Sequence, residues 1–409
     1  MTELRRRLTT ADAVVIGLSA MIGAGLFSAF APAAAAAGSA LIIGLGVAAI
    51  IAFCNASSSA ALAAKYPAAG GTYVYGRERL GPFWGYLAGW GFVLGKTASC
   101  AAMALTAAEY LAPAAPKPVA AAFAAALGAV NYVGVTRTAK LARILLALTL
   151  AALACTLLAV WLGGASAAAS ASSPPAPLGV LQSAGLLFFA FAGYARIATL
   201  GEEVRDPQRT IPRAIPIALG IVVCLYVVVA VSLLVALGPA GLAASSAPLA
   251  DAVRAGGLSQ LAPVAVFGAG IAALGALLAL LAGVGRTALA MARERDLPAP
   301  LAAVHPRFAT PHRAELVVIV AVVVLVLVTD LRGAIGFSSF GVLVYYAIAN
   351  ASAFTLSRDQ RWFPRALPVL GFVGCVVLAF ALPWASVLSG IACFAIGAAV
   401  WAWRHRSRS

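Results

Sequence analysis

The sequence predicts an all-α integral membrane protein of about twelve spanning helices, and three observations carry that expectation. Of 409 residues, 63% are hydrophobic and 10% charged, a balance that excludes both a soluble globule and a disordered polymer. Uncharged runs cover residues 13 to 64, 144 to 195 and 366 to 403. A span needs about 20 residues, so each run has to cross twice. The Lys and Arg, finally, gather in alternate connecting segments.

Taken in order, the first span runs over about 13–36 and the second over about 40–64, where Lys65 ends the uncharged stretch. Pro82 opens the third, about 83–110, and the basic residues Arg137 and Lys140 divide the fourth, about 118–135, from the fifth, about 141–163. An Ala, Ser and Pro connector at 164 to 179 leads to the sixth, about 178–201, and then the seventh, about 213–237. Residues 238 to 260 read as a second connector with a short helix, before the eighth span at about 261–290. A loop holding His305 and His312 precedes spans at about 314–330, 333–356, 366–381 and 383–403.

Charge then orients the chain. With both termini inside, only Lys117, Arg254 and Arg332 fall outside, and Lys96, Arg196 and Arg286 lie within or at the edge of spans; the remaining 22 of the 28 Lys and Arg are cytoplasmic. This is strong positive-inside asymmetry and places the protein in the cytoplasmic membrane. The net charge of +15 is thereby explained by topology and by anionic lipid at the inner surface, with no nucleic-acid partner required. Nothing at the N-terminus resembles a cleavable signal, because Arg5, Arg6 and Arg7 lead into a segment longer than a signal's apolar core.

The first span holds Ile22-Gly23-Ala24-Gly25-Leu26-Phe27. Glycine costs roughly 1 kcal/mol relative to alanine inside a helix, and broken backbone survives in a bilayer only where protein or a watered cavity satisfies it. The pair therefore reads either as a helix break at a binding cavity or as a close approach of another helix. A nucleotide-binding loop is disfavoured: the last glycine of that pattern is replaced by Ser28, and no strand-turn-helix unit surrounds it. Five spans later, Phe191-Ala192-Gly193-Tyr194 again interrupts a hydrophobic helix with glycine. An odd offset of five inverts one element relative to the other, as in an inverted repeat whose broken helices meet at mid-membrane.

Chemistry outside these stretches is sparse. Cys54, Cys100, Cys155, Cys224, Cys375 and Cys393 lie in spans without CxxC spacing and read as packing residues. No hydrolase motif or paired intramembrane aspartates appear, so an enzyme is not expected, nor is a cofactor or metal.

Together these residues resemble the amino acid-polyamine-organocation permeases, which share the LeuT-type fold. Four stretches carry the likeness: Ile22 to Phe27; Tyr66-Pro67-Ala68-Ala69-Gly70-Gly71-Thr72-Tyr73 with Gly81 and Gly89-Trp90; Phe191 to Tyr194 running into Glu202-Glu203-Val204-Arg205-Asp206-Pro207; and Gly285-Arg286 with Met291 through Pro298. The resemblance implies a single transporter domain over 1–409, with a 5+5 inverted repeat (about 13–163 and 178–356), two further helices at about 366–403, and helices 1 and 6 broken. It also implies a small-molecule substrate, an amino acid, held at Ile22, Gly23, Ala24, Gly25 and Leu26 and at Phe191, Ala192, Gly193 and Tyr194. The amides of Ala24, Gly25 and Leu26 would meet its carboxylate, and the carbonyls of Phe191 and Ala192 its ammonium.

Departures from that family refine the expectation. Where many relatives have an acid after the aromatic of span six, this chain has Ala195 and Arg196, which disfavours cationic substrates and leaves neutral or acidic amino acids. Thr149 stands where some proton-coupled relatives carry a lysine, and residues 269 to 285 offer no hydroxyl for a sodium site. Lys96 lies roughly 21 Å along span three from Pro82 and shares a face with Gly85, Gly89 and Cys100, so it points into the bundle. It is either the coupling group, with protons as the coupled ion, or a lysine that ties down a neighbouring carbonyl. Arg196 with Glu202 and Glu203 reads as a cytoplasmic gate or as a charged membrane exit. The functional reading is a secondary amino acid transporter working by alternating access. Its rivals are an exchanger, a polyamine or organocation permease, a transporter-like nutrient sensor and a channel, although no ring of acids or carbonyl filter supports the last.

Overall fold

The computed structural model describes residues 8–67, 70–133, 138–164, 176–198, 204–308 and 310–406. Among these the chain is helical, and the one extended contact is an isolated bridge from Leu8 to Val204. Among the described residues, nine helical stretches are long and apolar enough to cross a membrane.

The helices follow the hydrophobic runs closely. Thr9 caps α1 (Thr10–Met21) in a reciprocal box with Asp12, which also pairs with Arg143. After a break come α2 (Ala24–Ser28) and α3 (Phe30–Ala37), then α4 (Leu41–Lys65). The first loop folds as α5 (Thr72–Leu80), bounded by Gly71 at φ 56° and Gly81 at φ 102°, angles that a side chain would strain. It leads into α6 (Pro82–Leu111), α7 (Pro116–Tyr132) and α8 (Thr138–Leu162). The sixth hydrophobic run is α9 (Pro177–Phe191), a 3-10 turn at Ala192–Tyr194 and α10 (Ala195–Ala198).

The long α11 (Pro207–Ala244) kinks at Gly238 and continues past the seventh predicted span into the second connector. That connector also holds the expected short helix, α12 (Pro248–Ala255). Next come α13 (Ala262–Arg293), α14 (His312–Val328) and α15 (Leu331–Phe354), so that His312 opens a helix rather than lying in the loop. The chain closes with α16 (Ala366–Ala381) and α17 (Trp384–Arg406).

The centre of the molecule is α6, flanked by α15 and α13. Glycines let α6 and α15 approach backbone to backbone: a Cβ on Gly91 would lie 3.0 Å from the Gly341 carbonyl oxygen, and one on Gly95 3.1 Å from that of Ser338. Small residues are the usual means of such contact in lipid, where apolar burial gives helices little reason to associate. Large apolar side chains instead point outward from α14, α16 and α17, including Val320, Phe380 and Leu388, as a lipid-facing perimeter requires.

Candidate functional site

The α1 helix stops where Ile22 and Gly23 leave helical geometry. Ile22 N–H donates to the Leu18 carbonyl at 2.7 Å, then Ile22 takes ψ 60° and Gly23 takes φ −119°, ψ −148°. α2 restarts at Ala24. The Leu26 amide, expected to face a substrate, instead donates to the Gly23 carbonyl at 3.2 Å. Ala24 and Gly25 are left in the first turn, whose amides have no acceptor within their own helix.

The second break is tighter than the unwound segment expected. Ala192 N–H donates to the Phe189 carbonyl in the three-residue pattern of a 3-10 turn, and Ala192 sits at φ −63°, ψ −1°. The changed register leaves the Ala192 carbonyl to side chains. Lys96 Nζ donates to it at 3.2 Å and the Tyr346 hydroxyl at 3.3 Å. The Tyr346 ring stacks on Tyr194 with centroids 5.0 Å apart.

The two breaks interlock. A Cβ on Gly25 would lie 2.5 Å from the Ala190 Cα, and one on Gly193 would lie 2.4 Å from the Ala20 carbonyl oxygen. The close-approach reading of the glycines therefore holds, since the neighbour's backbone fills the space a side chain would need, and the helix also breaks there. Tyr226 of α11 ties the pair together, its hydroxyl lying 2.6 Å from the Met21 carbonyl oxygen and 2.9 Å from that of Ala190. A hydroxyl has one proton, so the two carbonyls share it. Facing Gly23 from α13 are Ala276, whose Cβ is 2.8 Å from a modest Cβ there, and Ala272, alanines on the stretch that offers no hydroxyl ligand.

Both approaches to the breaks are covered. On one side Tyr110 donates to the Phe27 carbonyl at 3.0 Å and packs edge-on against the Phe27 ring, with the Leu249 amide of α12 donating to its hydroxyl at 3.4 Å. On the other, Tyr75 of α5 reaches the Ala198 carbonyl at 3.4 Å and the Thr72 amide donates to the Tyr345 hydroxyl at 3.1 Å. Ile22, Ala24, Leu26, Phe191, Ala192 and Tyr194 are accordingly buried.

At the end of the bundle that carries α5, Asp296 accepts from the Tyr73 hydroxyl and from Arg77, each at 2.7 Å, while Arg77 lies 3.6 Å from Glu294. Burial, and then the hydrogen bond to the Asp296 carboxylate, push the Tyr73 phenol well above its usual range. The contact explains two of the sequence stretches together: the first loop, through Tyr73, is locked to the turn that follows α13, and Gly89 makes room for Tyr73 and Met291.

Of the candidate residues, the structure brings Lys96 to the broken sixth run and buries it, 7% exposed. Thr149 is buried in α8, which packs against α1 and α13. Arg196 is partly buried in α10, four residues beyond Ala192. Glu202 and Glu203 lie outside the described residues. Sequence reasoning missed Tyr226, Tyr346 and Tyr110. Their signal was a hydroxyl-bearing ring inside a run otherwise too apolar to hold one, as in Leu225-Tyr226-Val227.

Comparison with known proteins agrees with this architecture. Residues 12–404 match the family described as Amino acid permease. An uncharacterized transporter of Mycobacterium tuberculosis is 61% identical over 98% of this chain and 92% of its own. A branched-chain amino acid permease of Bacillus subtilis is 24% identical, covering 100% of this chain and 94% of its own. A chloroplastic cationic amino acid transporter of Arabidopsis thaliana is 27% identical, covering 95% and 72%.

Proposed function

This chain belongs to the amino acid permease family, and from that premise we propose that it is a secondary transporter of neutral amino acids, coupled to protons and working by alternating access in the cytoplasmic membrane. Twelve spans in two inverted halves of five, with two further helices, put its broken helices in spans one and six, and the positive-inside asymmetry puts both termini in the cytoplasm.

The observation that carries the reading is the meeting of the two breaks, the second of which is held by the buried ammonium of Lys96. The Ala24 and Gly25 amides would offer donors to a carboxylate, and the Phe191 and Ala192 carbonyls acceptors to an ammonium once Lys96 releases Ala192. Lys96, on the scaffold helix α6, holds the Ala192 carbonyl while charged. Loss of its proton weakens that hold, which links proton movement to release of the broken helix. Absence of an acid after Tyr194 favours neutral over cationic amino acids.

The test is a thermal-shift screen of the purified protein against the twenty amino acids, followed by uptake of the radiolabelled ligands into proteoliposomes. A ligand at 100 times its Kd stabilises by about 2.7 kcal/mol. Stabilisation by neutral amino acids with uptake driven by an inward proton gradient and indifferent to sodium is the expected result. Saturable uptake of arginine or putrescine without competition from neutral amino acids contradicts the substrate reading, and a strict sodium requirement contradicts the coupling. Binding without any flux identifies a sensor instead.

A further inference from the structure

We propose that Lys96 is a tethered ammonium that fills the amine half of the substrate site, so that the site accepts carboxylates lacking an α-amino group as well as amino acids. The inference rests on the reading that substrate binds where the two broken helices meet.

Three observations carry it. The Ala192 carbonyl is the acceptor that the break presents, and a carbonyl oxygen has two lone pairs; Lys96 Nζ at 3.2 Å and the Tyr346 hydroxyl at 3.3 Å use both. A substrate ammonium can reach that oxygen only by displacing one of them. Second, the amine arriving there would lie beside the Lys96 ammonium, and two like charges at such range repel strongly in a medium of low dielectric. Third, among the described residues no ion pair joins Lys96 to a carboxylate, and Glu109 lies 13 positions farther along the same helix. A buried cation with no counter-ion among the described residues is costly in a membrane, and it favours a ligand that brings a negative charge and no positive one.

A carboxylate with an apolar tail meets all three conditions. Its charge faces Lys96, the lysine keeps its bond to Ala192, and no second ammonium has to be placed. An amine without a carboxylate meets none of them. A zwitterion binds by pushing Lys96 aside.

The experiment measures binding by thermal shift and by competition on the full-length protein with three matched series. Leucine is set against 4-methylpentanoate and 3-methylbutylamine, phenylalanine against 3-phenylpropanoate and phenethylamine, alanine against propanoate and ethylamine. In the wild type the deamino acid of a bound amino acid is expected to bind within tenfold of its parent, and the amine not at all. In Lys96→Met the Ala192 carbonyl is free for the substrate's own ammonium, so discrimination for the amino acid over its deamino analogue rises by tenfold or more; Lys96→Arg keeps the wild-type ratio.

A wild-type preference for the amino acid above tenfold, or a ratio unmoved in Lys96→Met, overturns the inference. The wild-type ratio decides the matter even where the methionine variant fails to fold. Amino acids bound and carried while the deamino acids are excluded removes this inference and leaves the transporter reading standing. No binding by any member of any series removes both.

Discussion

Removing a single oxygen, in Tyr226→Phe, should loosen the junction on which the site depends. The Tyr226 side chain is fully buried, and its hydroxyl serves the Met21 carbonyl at 2.6 Å and the Ala190 carbonyl at 2.9 Å. Phenylalanine keeps the edge-on contact with Phe30 and the tilted contact with Phe191, so little apolar packing is lost. What remains is a buried acceptor without its donor, which costs about 1–3 kcal/mol. One proton cannot serve both carbonyls fully, so the loss is that of one bond rather than two. If the penalty falls on the closed arrangement alone, the balance between closed and open forms shifts by roughly 5- to 150-fold. The assay pairs thermal inactivation of purified protein with initial uptake rates in proteoliposomes. Ser389→Ala serves as the control, since that hydroxyl bonds only within its own exposed helix. Wild-type stability together with wild-type uptake in Tyr226→Phe would refute the view that Tyr226 braces the breaks.

Four further outcomes are expected. Gly193→Ala places a Cβ 2.4 Å from the Ala20 carbonyl oxygen, a rigid contact, whereas Gly220→Ala meets nothing within 4 Å; monodispersity on size-exclusion chromatography should be lost in the first and kept in the second. Asp296→Asn leaves Arg77 and Tyr73 without their carboxylate and, with Arg77 partly exposed, should cost about 1–2 kcal/mol, read as faster proteolysis within the loop that α5 occupies. Because the folded-state value of the Tyr73 phenol is raised, its share of that contact is fully present below the free phenol value of about 10 and is lost only as pH climbs through the higher value. Protection of the loop should therefore be flat from neutral pH to about 10 and fall above it. Lys96→Met should keep binding amino acids while losing accumulation driven by a proton gradient; unchanged pH dependence would reduce Lys96 to a packing residue.

Helix positions were legible because a bilayer imposes length and polarity together: Pro82, Pro116 and Pro177 sit at the starts of α6, α7 and α9, and the described parts of the uncharged runs are largely helical. The first break was legible for the same reason, since Gly23 and Gly25 stand where a helix is costly to interrupt. Its counterpart was less so. Gly193 marked the place, but the 3-10 turn that forms there follows from packing against Ala20 and Met21, which no local pattern encodes. Lys96 was visible as a charge in a span, and its inward direction followed from the small residues on its face. Its acceptor was invisible, because Ala192 lies 96 positions away and offers only a backbone oxygen. The tyrosine braces escaped for a related reason: Tyr226 and Tyr346 serve main-chain carbonyls, and main-chain partners leave no trace in residue identity.

The most direct test of the central claim is accumulation of a radiolabelled neutral amino acid by proteoliposomes holding the wild-type protein or Lys96→Met, with an inward proton gradient imposed and then collapsed. Concentrative uptake by the wild type that vanishes with the gradient, sodium-independent throughout, and only downhill equilibration by the variant are expected. Equal concentrative uptake by the two proteins, or none by the wild type under any gradient, would contradict that claim.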